Sequence, residues 1–248
     1  MGALILLYSV IVYLVFFAAF LYLIVFVGGD MIPFVGAPKT IDWGGSALAG
    51  LPPALVNIGL LILFGVQHSI MARQGFKRAL TKIIPWPAER STFVLTTVVV
   101  LALLYAFWVP MTGVVWSVSS PLWAGILTAL FFIGFALVLL ATFLINHFEL
   151  FGLMQGWFRF KGKAMPEPQF HTPFLYSFVR HPLYLGFLLA FWAAPTMTVG
   201  HLLFAAVWTT YIFIAIGYEE RDLMALFGEK YREYMAKTPS ILPFGRRR

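Results

Sequence analysis

The chain has 248 residues; 61% are AVILMFWYC, only 11% are charged, and the mean hydropathy is +0.88. A soluble domain carries roughly a quarter charged residues, and disorder needs low hydrophobicity with high charge, so both classes are excluded and an integral membrane protein is implied. The net charge of +7 gathers in a few loops and the tail, which points to orientation and lipid headgroups rather than nucleic acid, and with no cysteine there is no disulfide scaffold, thiolate zinc site or cysteine nucleophile.

Ala3 to Val27 is apolar apart from Ser9 and tyrosines. That is long enough for a helix across a ~30 Å hydrocarbon core. The start lacks a basic region and the run is too long for a cleavable signal, so an uncleaved first span is expected. It ends at Gly28-Gly29-Asp30, and a connector with Pro33, Pro38, Gly44, Gly45 and Pro52 follows. Further spans are predicted over about 53–71, 91–109, 122–145, 183–198 and 201–217. The last two are expected to form a tight hairpin, with the depth of the fifth run open. From Tyr218 to Met235, apolar residues recur at Leu223, Phe227, Tyr231 and Tyr234 with charges between them. That spacing predicts an amphipathic helix on the membrane or folded over the bundle, ended by Pro239. The fold class is therefore all-α: one polytopic helical bundle over 1–248, with five to six transmembrane segments and a C-terminal amphipathic helix on the cytoplasmic side.

Loop charge sets the orientation. The second loop holds Arg73, Lys77, Arg78, Lys82 and Arg90. The fourth holds Arg159, Lys161, Lys163 and Arg180. The tail holds Arg221, Lys230, Arg232, Lys237, Arg246, Arg247 and Arg248. Sixteen of the seventeen basic residues thus share one side, and Lys39 alone is opposite. The positive-inside rule makes the basic side cytoplasmic, with both termini inside.

No two glycines are separated by a single residue, so no dinucleotide loop exists, and there is no P-loop lysine or H-E-x-x-H. No metal site is expected. Polar groups near membrane depth are functional candidates. Gln67-His68-Ser69 ends the second span, and Asn146-His147-Phe148-Glu149 leaves the fourth. Headgroup-solvated helix ends would present the same residues. On one continuous helix His147 and Glu149 point roughly 200° apart, so either the helix breaks there or one of them faces away. A third cluster holds His171, Tyr176, Arg180-His181-Pro182, Tyr184 and Gly186, with Glu219-Glu220 leaving the sixth span on the same side. Pro182 can open a helix, placing Arg180 and His181 at its positive end, a natural anchor for a carboxylate. An interfacial arginine paired with an acid is the plainer alternative.

The run Arg180-His181-Pro182-Leu183-Tyr184-Leu185-Gly186, together with Glu219-Glu220, Leu223, Phe227-Gly228, Tyr231, Tyr234 and Pro239, resembles the signature of the isoprenylcysteine carboxyl methyltransferase-like superfamily. Gln67 to Arg73, Glu89-Arg90-Ser91 and Asn146 to Leu153 are similar to its nurim-related branch. Within that branch the whole length resembles the bacterial methanethiol S-methyltransferases. The resemblance implies a bacterial inner-membrane enzyme that methylates methanethiol to dimethyl sulfide with S-adenosylmethionine bound on the cytoplasmic side by residues 146–243. It implies that Arg180, His181, Pro182, Tyr184, Gly186, Glu219 and Glu220 form the cofactor site, with His171 and Tyr176 closing it. The thiol's proton needs a base: His147 first, His68 second, with Glu149 as partner of either. A small thiol and membrane lipid are the expected partners, and nucleic acid is not. The alternatives are a methyltransferase for a prenylcysteine carboxylate or a lipid, and a non-catalytic nurim-like membrane protein.

Overall fold

The computed structural model describes residues 1–32 and 36–243. Pro33 of the connector and Arg246, Arg247 and Arg248 of the tail lie outside the described residues. In chain order the elements are α1 (Gly2–Gly28), α2 (Pro53–Ala72), α3 (Gln74–Leu80), α4 (Trp86–Phe107), β1 (Val114–Ser117), α5 (Pro121–Ile145), α6 (His147–Leu150), α7 (Leu153–Phe160), α8 (Pro182–Trp192), β2 (Thr196–Thr198), α9 (Val199–Phe227) and α10 (Glu229–Lys237). The two short strands pair with each other. Five helices are long and apolar enough to cross a membrane: α1 with its 3-10 extension to Met31, then α2, α4, α5 and α9.

Proline sets several starts. It occupies the first or second helical position of α2, α4, α5 and α8, where its missing N–H has no partner to lose. Pro87 opens α4 five residues before the expected start at Ser91, so Glu89 and Arg90 lie inside the helix rather than in the loop. The fifth apolar run is helical only to Trp192. Pro195 lacks an N–H and disfavours helix at Ala194, and the chain bends into β2. Eleven residues rise about 16 Å, so the helix alone does not span the core, and the non-helical residues 193–198, at up to about 3.3 Å each, carry the run on to β2, which pairs with β1 in the α4–α5 connection. The sixth run, by contrast, continues past Gly217 to Phe227. The amphipathic segment expected from Tyr218 is thus divided: its first half extends α9, and α10 starts after Gly228, whose φ of +57° suits glycine.

The described chain forms two compact units. The first comprises residues 1–32, 36–116, 147–166 and 197–204; the second comprises 117–146, 167–196 and 205–243.

In the first unit α1 packs on α4 and α7, and α2 packs on α4. Small residues allow the closest approach at one end. Ser9 and Ser91 are fully buried and their hydroxyls bond at 2.9 Å. A Cβ on Gly156 would lie 2.8 Å from Ser9 Oγ, and one on Gly152 would lie 2.5 Å from Ser91 Oγ. Close packing and a polar contact substitute for the hydrophobic drive that lipid cannot give. The other end of this unit is tied by polar bonds. Lys39 Nζ donates to the carbonyls of Gly45 and Ala106, both at 2.7 Å, and Asn57 exchanges two bonds with the backbone of Val109. Burial pushes the Lys39 ammonium below the usual lysine range. Leu4, Leu7, Ile11 and Leu14 of α1 remain exposed, as a lipid-facing stripe requires.

In the second unit α5 crosses α8 at a glycine pair. A Cβ on Gly134 would lie 2.6 Å from Ala190 N, and one on Gly186 would lie 2.7 Å from Gly134 O. Helix α8 also packs on α9. Tyr184, Leu185, Phe187 and Leu188 surround Ile212, Ile216 and Ile241, so the expected hairpin forms even though α8 is short.

Candidate active site

Pro182 starts α8, and His181 before it is non-helical (φ −126°, ψ 61°). The two residues ahead of the helix therefore have unsatisfied backbone N–H groups. The C-terminal segment supplies the acceptors: Arg180 N donates to Pro239 O at 2.9 Å and His181 N to Ser240 O at 3.0 Å. The arginine side chain fastens the same segment. Its Nη1 donates to the carbonyls of Met235 (3.2 Å) and Thr238. Its Nε and Nη2 donate to one oxygen of Glu220, at 2.9 and 2.7 Å. His181 Nε2 reaches that same oxygen at 3.0 Å, and its Nδ1 lies 3.7 Å from Glu219.

An arginine has five N–H donors, and these bonds occupy four of them. Arg180 thus locks the C-terminal segment against the start of α8 and neutralises Glu220. Two groups keep free polar capacity here. Glu219 is 41% exposed, against 17% for Glu220. Successive helical residues point about 100° apart, so only one of the pair turns fully to the arginine. The second is the Tyr231 hydroxyl, buried with no hydrogen-bond partner among the described residues.

The other residues expected at this site divide. Tyr184 tilts against the His181 ring at 5.6 Å. Tyr176 is buried, donates to Ala141 O at 3.4 Å, and its own carbonyl accepts from Tyr234. Burial pushes the Tyr176 and Tyr231 phenols up and the Tyr234 phenol up to about 12, so all three remain protonated donors at neutral pH. Gly186 supplies the close approach of α8 to α5. His171 is exposed, with Nδ1 against its neighbour's Gln169 carbonyl at 3.0 Å, and no hydrogen bond ties it to the cluster among the described residues.

The remaining candidates lie in the first unit. The chain does break after the fourth span: Asn146 (φ −179°, ψ 83°) separates α5 from α6. His147 begins α6, is 3% exposed, and bonds through Nε2 to the Tyr13 hydroxyl at 2.9 Å. Phe151 meets its ring edge-on at 4.8 Å. Burial holds this imidazole below the usual histidine range, which favours the neutral ring that can accept a proton. Glu149 lies two residues on, and its charge reaches Arg90, which donates to Leu150 O at 2.6 Å. His68 stacks on Phe64 at 5.3 Å, leans on Phe93 at 4.8 Å, and points Nδ1 at Thr97 Oγ1, 3.5 Å away.

Three residues contact these candidates without a role assigned from sequence. Tyr13 reads as one more apolar position of the first span, while Tyr231 and Arg90 stand only as members of the motifs that carry the family resemblance. A hydroxyl on an apolar face was the available signal for the first two.

Residues 123–230 match the family model of phospholipid methyltransferases. With the helical membrane bundle and the polar cluster at the start of α8, that match defines a membrane methyltransferase. The chain is 50% identical over 240 residues to methanethiol S-methyltransferase 1 of Bradyrhizobium diazoefficiens, covering 97% of this chain and 82% of the relative. It is 48% identical over 240 residues to the methanethiol S-methyltransferase of Mycobacterium tuberculosis, covering 97% and 96%. Nurim of Bos taurus is 30% identical over 193 residues, 74% of this chain and 72% of the relative. No solved structure matches the chain. The protein belongs to the methanethiol S-methyltransferase family.

Proposed function

We propose that the protein methylates methanethiol to dimethyl sulfide with S-adenosylmethionine as the donor. The observation that carries this reading is family membership across 97% of the chain, with relatives named for that substrate. The residues at the start of α8 fit such a donor, which presents an ammonium, a carboxylate and a ribose diol. Half-exposed Glu219 accepts hydrogen bonds from the diol or the ammonium. Glu220 fixes the ring orientation of His181, and the unpartnered Tyr231 hydroxyl offers one further contact. Arg180 acts mainly by holding these groups in place, with one N–H left over.

When bound, S-adenosylmethionine supplies a methyl group activated by a positive sulfonium. The chain's part is to hold, orient and deprotonate. The thiolate is the nucleophile and a free thiol ionises well above neutrality, so one proton must be taken up. His147 takes it, at Nε2 or through the Tyr13 hydroxyl bonded there. His68 is the second candidate, and Glu149 steadies the surrounding charge through Arg90. Exclusion of water favours a reaction in which opposite charges neutralise each other.

The orientation follows from charge. Sixteen of seventeen Lys and Arg residues lie on the side that carries both termini, which makes that side cytoplasmic in a bacterial inner membrane. The polar donor arrives from the cytosol, and methanethiol arrives through lipid. Headspace gas chromatography of purified protein with both substrates tests the reading: dimethyl sulfide is expected, and its absence from folded protein refutes it.

His147→Ala is expected to lower kcat by about 10²–10⁴-fold while changing donor affinity less than twofold, the usual share of a general base. In the intact enzyme the acid limb of kcat is expected below about pH 6.5, because the base must be neutral and burial lowers its pKa. Unchanged turnover, or an acid limb above that value, removes His147 from this role.

A further inference from the structure

Tyr231 is 2% exposed, yet its hydroxyl has no hydrogen-bond partner among the described residues. A buried hydroxyl left unpaired is costly, and phenylalanine would fill the same space without that cost. The ring is firmly held: Phe170 meets it edge-on at 6.1 Å and Tyr234 at 5.8 Å. The polar atom is therefore fixed in place and unused by the fold.

Its position is not random. Tyr231 lies on α10, which leads into the carbonyls of Met235, Thr238, Pro239 and Ser240 that hold Arg180 and His181. The charges that act on it are Glu220, Glu219 and Arg180. Arg180 offsets the charge of Glu220, while Glu219 has only uncharged phenol donors such as Tyr184 and the His181 ring, at 3.7 Å, around it among the described residues. The remaining field favours a cation over a carboxylate. An open cleft beside Glu220 is lined also by Gly217, Arg221, Met224, Ala225 and Met235, neighbours of Glu219 and Tyr231 along α9 and α10, though neither of those two lines it.

We infer that Tyr231 and Glu219 together hold the amino end of the methyl donor, the tyrosine oxygen accepting an N–H of the ligand's ammonium group. This rests on the reading of S-adenosylmethionine as donor. Sequence offered Arg180 and His181 as a carboxylate anchor and the glutamate pair for the ribose or the amino end; the inference gives the amino end to Glu219 and adds Tyr231 to it. Tyr231 is then a binding residue whose hydroxyl is kept for the ligand.

The test compares full-length protein in lipid nanodiscs with its Tyr231→Phe variant. Calorimetry measures S-adenosylhomocysteine, which has the amino-acid end, and 5′-methylthioadenosine, which lacks it. The variant is expected to bind S-adenosylhomocysteine about tenfold more weakly, the worth of one charge-assisted hydrogen bond, and to bind methylthioadenosine as before. The melting temperature of the ligand-free variant is expected to equal or exceed that of the parent. Equal losses for both ligands, no loss for either, or a lower ligand-free melting temperature overturns the inference. If the parent binds neither ligand, the donor reading itself falls, and this inference with it.

Discussion

Arg180→Ala is expected to lower kcat/KM by at least about thirtyfold, with most of the loss in donor affinity. Truncating one partner of a shielded, hydrogen-bonded charge pair costs about 2–5 kcal/mol, part of it from the charge left behind. Here the abandoned charge is Glu220, which is 17% exposed and has His181 as its remaining partner. The same change frees the carbonyls of Met235 and Thr238, so the segment after α10 loses its side-chain fastening to α8. Arg180→Lys is expected to rescue little. A lysine restores the charge, but it cannot donate to one carboxylate oxygen and two carbonyls with the geometry of a planar fork. Titration calorimetry with S-adenosylmethionine, paired with limited proteolysis of the segment after Gly228, reads both effects. Full rescue by lysine would show that only charge matters at this position.

Gly186→Ala is expected to destabilise the protein by about 3 kcal/mol, at the upper end of overpacking costs, because the added atom meets backbone. A Cβ there would lie 2.7 Å from Gly134 O and 2.9 Å from Val138 N. Gly134→Ala is expected to do the same from the facing helix, with Ala190 N at 2.6 Å. Neither clash can be relieved by a side-chain rotation, so α5 and α8 must separate. Since α8 begins directly after Arg180 and His181, donor binding should weaken along with stability. Gly59→Ala in α2 and Gly125→Ala in α5 serve as controls, since nothing lies within 4 Å of a Cβ at either position. Both are expected to be neutral or slightly stabilising, because alanine favours helix. Thermal unfolding in detergent separates the two pairs, and equal melting temperatures would mean that the helix crossing yields easily.

The membrane bundle was legible because apolar length alone decides whether a helix can span. What sequence misjudged were the positions where a single residue outweighs the average. Pro195 shortened the fifth helix, and Pro87 began the third spanning helix early. Gly228 moved the helix break eleven residues beyond Gly217, because nothing between them interrupts a helix. The main polar cluster was legible as a set of residue types, since Arg180, His181, Glu219 and Glu220 do converge. The roles within it were not. Sequence offered the arginine as a ligand anchor or as the partner of an acid; the structure shows the acid and adds backbone carbonyls far along the chain, which no local pattern reports. The break at Asn146, one of the two outcomes left open, lets His147 be buried while Glu149 stays partly exposed.

The most direct measurement follows the methyl group itself. Purified protein in nanodiscs is given methanethiol and S-adenosylmethionine carrying a trideuterated methyl, and the headspace is analysed by mass spectrometry. Dimethyl sulfide three mass units heavier than the unlabelled compound is expected, at a rate that His147→Ala lowers. Unlabelled dimethyl sulfide, or none from protein that binds the donor, would contradict methyl transfer from S-adenosylmethionine to methanethiol.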